Sequence, residues 1–255
     1  MALFRRQAPT QQVGSQPRTD IPLYFTNSGD PVRELADQVI ILSGEIQQEF
    51  AEQFGPSYEW RADLNEPAKF WFTRKPKAIF RPHFIGTISR QSDTWLWGWD
   101  NINDFPPSVV DVAERVRQVG EQIRCDDLTV AKQPVDHRPK LEVDYMYAAM
   151  AVSGLPVPVY FADDDTFFLL DNQAVFDLPR PSMPHIITMI MEPLQAGLIT
   201  NHRLAVRGYA TRRAGISFTE SDQSIVVRAP DGDATISFDD LSRIVNIQGT
   251  VGPGE

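Results

Sequence analysis

The apolar positions of the chain change their period several times, and each change marks a new element. Between residues 32 and 54 they recur at Val32, Leu35, Val39, Leu42, Ile46, Phe50 and Phe54, three or four apart, which is the spacing of one face of an α-helix. Asp30-Pro31 precedes them as an N-cap followed by proline at the first helical position, where its missing N–H costs nothing. Gly55-Pro56 follows as a left-handed stop and a breaker. The pattern predicts a helix over 31–54, with Glu34, Asp37, Glu45, Glu49 and Glu52 on its outer face.

From Ser57 the period becomes two. Runs around Tyr58 and Trp60, over 69–73, over about 78–89 and from Trp95 onward are separated by Asn65-Glu66-Pro67, Pro76 and Arg90-Gln91-Ser92-Asp93, so four strands of an antiparallel meander are expected. Pro82 inside the third run requires an edge, a bulge or a break there. The fourth run, Trp95-Leu96-Trp97-Gly98-Trp99-Asp100-Asn101, carries three of the five tryptophans at alternate positions. On a strand, Trp95, Trp97 and Trp99 share one side while Leu96 and Gly98 take the other.

Helical spacing then returns. Ser108 and Asp111 have the spacing of a capping box ahead of Val109, Val112, Ala113, Val116, Val119 and Ile123. Pro139 opens a further helix with Leu141, Tyr145, Ala148, Ala149 and Val152 inward and Gly154 at its stop. A strand pair over 157–162 and 166–170 is joined by Asp163-Asp164-Asp165, and the segment 183–192 is helical and apolar almost all round; Pro193 interrupts it and Gly197 ends it. Short alternating runs at 203–209, 215–219, 223–229, 233–238 and 243–248 close the chain, with Asp231-Gly232 as a hairpin signal. The expectation is an α+β fold: an antiparallel sheet, built from a four-strand meander and a later strand pair, packed by helices and followed by a small β-meander. Residues 1–20 read as a disordered tail, 21–200 as the α+β domain and 201–255 as a β-rich extension or subdomain.

Composition narrows the possible functions. An apolar fraction of 42% in 255 residues supplies a sizeable core. A net charge of −10 argues against bulk binding of nucleic acid or of anionic membranes. The lone cysteine, Cys125, excludes an internal disulfide framework. No run approaches the roughly 20 apolar residues of a membrane span. Met-Ala-Leu-Phe-Arg-Arg turns polar at Gln7, so no secretory signal is read, and a cytoplasmic bacterial protein is expected. One local exception stands out: between Pro67 and Arg90 there are Lys69, Arg74, Lys75, Lys77, Arg81 and Arg90 and no acid. That stretch is either a solvated face with edge-strand gatekeepers or a docking face for an acidic partner.

Catalytic chemistry finds little support. Cys125 is followed by Asp126 and Asp127, which raise a thiol's pKa. There is no Gly-x-Ser-x-Gly elbow and no glycine-rich phosphate loop. His83, His137, His185 and His202 are scattered, and the triple aspartate lacks the spaced oxygens of a calcium loop. No catalytic residue, metal or cofactor is therefore expected. The candidate binding residues are Trp95, Trp97, Trp99, Asp100 and Asn101, as a stacking platform with polar contacts at its end. The competing reading places the three indoles in the core and uses Asn101 to pin the turn, and the valine- and alanine-rich helix that follows favours it. Lys69, Arg74, Lys75 and Lys77, with Met189 and Met191 of the apolar helix, are a possible partner surface, although methionine more often fills gaps in a core.

The tryptophan stretch, preceded by Phe84-Ile85-Gly86-Thr87-Ile88-Ser89, resembles a bacterial domain family of unknown function with an Ile-Gly-x-x-Ser … Thr-Trp-Leu-Trp-x-Trp-x-Asn signature. Gly120-Glu121 on a helix and Asp127-Leu128-Thr129 follow in the same order, and the resemblance spans roughly residues 30–171. Members commonly carry a small residue where this chain has Asp100. The resemblance implies a common fold and carries no activity. The order of elements is also similar to YbjN-like and type III secretion chaperone domains, which implies a protein-binding role. The expectation is a non-catalytic adaptor, chaperone-like or immunity-type module; the alternative is a small-ligand binder or enzyme with a pocket lined by the tryptophan row.

Overall fold

A computed structural model describes residues 20–26, 28–55, 59–73, 78–135, 140–163, 165–172, 174 and 176–252. The tail read over residues 1–20 lies outside these except for Asp20. The first helix, α1 (Pro31–Phe54), has the predicted bounds; Asp30 caps it by accepting the Arg33 N–H at 3.1 Å, and the chain leaves it at Gly55. Strands β1 (Trp60–Asp63), β2 (Lys69–Phe72), β3 (Ile79–Ser89) and β4 (Thr94–Trp97) follow as the expected antiparallel meander. Helix α2 (Pro107–Ile123), a single turn α3 (Asp126–Thr129) and strand β5 (Lys132–Pro134) come next, and β5 pairs with β4 as a strand the alternation had not announced. Helix α4 (Leu141–Ser153) stops at left-handed Gly154, and the hairpin β6 (Val159–Ala162) and β7 (Thr166–Asp171) returns to pair with β3. The result is one curled antiparallel sheet in which β3 contacts β2, β4 and β7.

Pro82 is accommodated inside this sheet by direction. Leu170, its register partner on β7, gives its N–H to Pro158 on the far side, so the backbone of Pro82 points away from β7. On its other side β2 reaches only Ile79 and Phe80, and β4 only Gly86 to Ser89. The missing donor falls in that gap, and a register shift at Phe84–Gly86 bends the strand just beyond it.

The C-terminal part departs from the alternating reading at one point. The run 203–209 is helical: α5 (Met183–Gln195) is followed by α6 (His202–Arg212) before the strands β8 (Ser217–Glu220), β9 (Ser224–Ala229), β10 (Gly232–Phe238) and β11 (Ile244–Val251). Leu204, Ala205, Val206, Tyr209 and Ala210 are all buried, a set that includes neighbours and i, i+4 pairs and so fits a helix face rather than one side of a strand. Asn201 caps α6 by accepting the Leu204 N–H at 2.9 Å. Pro193 lies in the last turn of α5, where it removes a hydrogen bond without stopping the helix, and the chain leaves the helix at left-handed Gly197, as expected. The four strands form a second antiparallel sheet in the order β11-β10-β9-β8, with the expected tight hairpin between β9 and β10. Its turn has a further use: Asp231 accepts the Met183 N–H at 2.8 Å and so caps α5 from outside the helix.

Candidate functional site

The tryptophan run does not stay a strand for its whole length. Trp95 and Trp97, at alternate positions of β4, share one face and are 0% and 1% exposed. Trp95 lies over Gly86, where an added Cβ would stand 2.4 Å from its ring, and packs on Phe167 at 5.0 Å between ring centres. Trp97 sits 4.8 Å from Tyr145 of α4 and donates its indole N–H to Asp127 O at 3.0 Å. A 3-10 turn over Gly98–Asp100 then lifts the chain out of the sheet, and at Gly98 an added Cβ would meet the Phe84 and Ile85 carbonyls. Trp99 therefore leaves the shared side expected for it. It is half-buried, with the Arg117 guanidinium 5.8 Å from its ring centre. Asp100 is exposed, and Asn101, at φ 45°, both accepts the Phe105 N–H at 2.8 Å and donates to the Phe105 carbonyl at 2.9 Å.

That pinned turn delivers the chain to α2. Ser108 and Asp111 do not form the capping box their spacing suggested, because Ser108 Oγ donates to Glu66 and the Asp111 carboxylate is taken by β3. One Asp111 oxygen meets Arg81 Nη2 at 2.5 Å and the other His83 Nδ1 at 2.6 Å. Arg81 and His83 are two apart on β3 and so project to the same face, which is what lets one carboxylate hold both. An aspartate against an imidazole is the arrangement that orients a general base. His83 is 0% exposed, and its Nε2 meets no hydrogen-bond partner among the described residues. What the pair does is fasten the first turns of α2 to the sheet. The sequence signal for it was the Arg-x-His spacing, which the count of scattered histidines and basic residues concealed.

The remaining candidates fall in separate places. Lys69 is exposed at the rim of a groove of about 470 Å³ lined by Trp71, Phe72, Thr73, Ala78 and Ile79. Arg74, Lys75 and Lys77 lie outside the described residues. The other two cations of the basic stretch have internal acids: Arg81 has Asp111, and Arg90 stands 3.7 Å from Asp165. Met183 and Met189 are buried, and Met191 is half-buried. Cys125 is buried before α3, where burial first and the nearby Asp127 second push its thiol pKa up. No cluster of histidine, cysteine, aspartate or glutamate among the described residues could hold a metal ion, and none of their helices is long and apolar enough to cross a membrane.

A family model covers residues 33–173, more than half of the chain. The chain belongs to a family of unknown function (DUF6882). No curated protein and no solved structure matches it. The family region runs from the first turn of α1 to just past β7, so the tryptophan seam and the Arg81–His83–Asp111 cluster lie inside it, whereas α5, α6 and the second sheet lie outside.

Three acids of α1 that the sequence placed on the surface are buried, and two of them, Asp37 and Glu45, join the family region to those later elements. Glu34, Asp37 and Glu45 are 4%, 1% and 2% exposed, and only the far end of α1 keeps its acids near solvent. Glu45 receives Arg213 in a bidentate pair, Nε to Oε2 and Nη2 to Oε1, both at 2.9 Å, and the Tyr209 hydroxyl at 3.0 Å, with His185 Nε2 3.2 Å away. Burial, with the Glu45 charge added, drives the Tyr209 hydroxyl pKa far up, which keeps it a donor. Asp37 accepts the Asn201 and Thr200 N–H groups at 2.7 and 3.2 Å and the Arg33 guanidinium at 3.0 Å. Glu34 accepts from Thr26 and Ser28; burial opposes its ionisation, but these hydrogen bonds prevail and hold its carboxyl below the usual range. Glu34, Gln38 and Glu45 fall on one helical side, and that polar series, interrupted by Ile41, was the readable signal.

Proposed function

We propose that the protein is a non-catalytic protein-binding module, which docks an acidic, partly apolar segment of a partner along the β2–β3 face. The groove beside Lys69 supports this reading. Its floor is apolar through Trp71, Phe72 and Ala78, and Ile79 is 46% exposed although it lies on the strand at the centre of the sheet. An apolar floor with a cationic rim suits a segment that presents both hydrophobic side chains and carboxylates. The link between β2 and β3 carries Arg74, Lys75 and Lys77, which adds positive charge to the same part of the chain in a protein of net charge −10.

The alternative of a ligand pocket lined by the tryptophan row has less to draw on, since Trp95 and Trp97 have no open face. The adaptor reading is tested by affinity capture from the native cell with the wild-type chain and with Ile79→Asp. The wild type is expected to retain a partner in stoichiometric amount that the variant loses, while both give the same circular-dichroism spectrum. Equal recovery by both, or no stoichiometric partner for the wild type, overturns it.

A further inference from the structure

The free edges of the two sheets differ in how they are protected against strand addition. In the first sheet β1 carries Arg61 and Asp63, β5 is three residues long and ends in Pro134, and β6 has only four residues. In the second, β8 is four residues long and ends in Glu220, which is held by Arg203 and Arg207. Short length, charge and proline are the usual means of blunting an edge. The other edge of the second sheet, β11, has none of them: Ile-Val-Asn-Ile-Gln-Gly-Thr-Val is eight residues long and contains neither a charged residue nor a proline. Val245 and Val251 on it are 63% and 61% exposed.

The hydrogen-bond register fixes how this edge can be extended. Gly252 gives its N–H to Asp231 O at 2.8 Å, which continues the pairing of Val251 with Gly232 and makes 252/231 a hydrogen-bonded pair. Such pairs alternate along an antiparallel ladder, so Thr250 and Gln248 turn their backbone groups toward β10, while Ile247, Gly249 and Val251 turn theirs outward. A second β11 related by a two-fold axis must set outward groups against outward groups, which requires the axis to pass through a residue and not between two. Centred on Gln248, this pairing opposes Ile247 and Gly249, Asn246 and Thr250, and Val245 and Val251. The two exposed valines then cover each other, and no charge meets a like charge, although each copy carries a net charge of −10.

We propose that β11 is a self-association edge: two copies of the chain join antiparallel through β11, with Gln248 on the two-fold axis, into one continuous eight-stranded sheet. Such an interface is isologous and closes at two copies. Sedimentation equilibrium in the micromolar range is expected to give a dimer for the wild type and a monomer for Val245→Lys/Val251→Lys, with matching circular dichroism because both valines are largely exposed. Gln248→Cys, facing itself across the axis in a non-hydrogen-bonded pair, is expected to oxidise to a disulfide-linked dimer, since such pairs fall within disulfide reach. Arg228→Cys, exposed on β9, is the control expected to stay monomeric under the same oxidation. Buried Cys125 contributes to neither. A wild type that sediments as a monomer, a lysine variant that associates as well as the wild type, or a Gln248→Cys chain that crosslinks no faster than Arg228→Cys overturns the proposal. Should the lysine variant fail to fold, the cysteine pair decides alone.

Discussion

Trp95 and Glu45 are both sealed from solvent, yet the seams they belong to hold the molecule by different physics. Around Trp95 and Trp97 the contacts are ring against ring, with Tyr145 and Phe167 within 5.2 Å between centres, and Trp97 adds a hydrogen bond to the Asp127 carbonyl. Around Glu45 the contact is a carboxylate that fills its acceptor sites with Arg213, Tyr209 and His185, while Gly208 lets α6 press onto the α1 backbone at Gln38. The aromatic seam gains free energy in proportion to the area it removes from water and is indifferent to small shifts. The charged seam carries a desolvation cost that only good geometry offsets, so it fixes one register between its helices. The first lies wholly within the family region; the second joins that region to residues outside it.

The difference has a measurable signature. Trp97→Ala is expected to cost about 3–5 kcal/mol in urea unfolding, as for a large buried aromatic side chain; a loss under about 1 kcal/mol would contradict a core role. Trp95→Phe should be milder than Trp97→Phe by about 1 kcal/mol, because Trp97 gives up a hydrogen bond to Asp127 whereas the Trp95 indole N–H has no partner among the described residues. On the charged side, Arg213→Met alone leaves Glu45 buried without its main partner and is expected to cost about 3–5 kcal/mol, whereas Glu45→Met/Arg213→Met should recover most of it. Additive costs in that pair would show that the two charges do not act as a unit. No comparable rescue is expected on the aromatic side, where a second truncation only enlarges the cavity.

The turn at Asn101, just past the aromatic seam on the way to α2, is the next lever in size. Its side chain makes two hydrogen bonds to Phe105 in a left-handed backbone conformation, and the chain then enters α2, where Asp111 grips Arg81 and His83. Asn101→Ala is expected to lose about 1–2 kcal/mol. Asn101→Asp, which keeps the acceptor for the Phe105 N–H and loses the donor, should lie between the two. A melting temperature unchanged by Asn101→Ala would mean that Pro106-Pro107 set the approach to α2 by themselves.

How much of this could be read in the sequence follows from what local patterns encode. Apolar periodicity reports which face is buried, and it gave the bounds of α1, the stripe of α2 and the strands around Phe84 and Phe168 because those faces are buried against hydrocarbon. It misplaced Asp37 and Glu45 for the same reason: a carboxylate buried by partners more than 160 residues away, such as Asn201 or Arg213, is locally indistinguishable from one facing water, whereas Glu34 is covered by the preceding segment through Thr26 and Ser28. The same blindness turned α6 into a strand, since Leu204, Val206 and Gly208 alternate while Ala205 and Tyr209 contradict the alternation only once they are known to be buried. Asp111 was read as a cap from its spacing to Ser108, but Arg81 and His83 arrive from a strand that sequence proximity does not reveal. The tryptophan row was legible as a seam; that Trp99 leaves it depended on the carbonyls behind Gly98.

The smallest expected effect concerns the start of β11, where an imidazole serves in place of a backbone acceptor. His202 Nδ1 accepts the Ile244 N–H at 3.1 Å, so the ring must be unprotonated at that nitrogen for the strand to begin as it does. Burial lowers the His202 pKa below its ordinary 6.5, Asp239 works in the opposite direction, and Arg243 adds to the lowering. In the unfolded chain the ring takes up a proton more readily than in the folded one, so acid favours unfolding. The contribution is complete above the unfolded value of 6.5 and is lost as the pH falls from there through the lower folded value. Glu34 and Glu220, whose folded carboxyls titrate below their ordinary 4.5, contribute their own losses only at more acid pH, and Asp37, whose carboxyl pKa is raised by burial, works in the opposite sense as the pH falls. Comparison of urea midpoints at neutral pH and at about pH 5 for the wild type and for His202→Asn separates the two: the wild type should lose more stability over that interval than the variant does. Equal losses would assign the acid sensitivity elsewhere and leave the Ile244 hydrogen bond without an energetic part in holding β11.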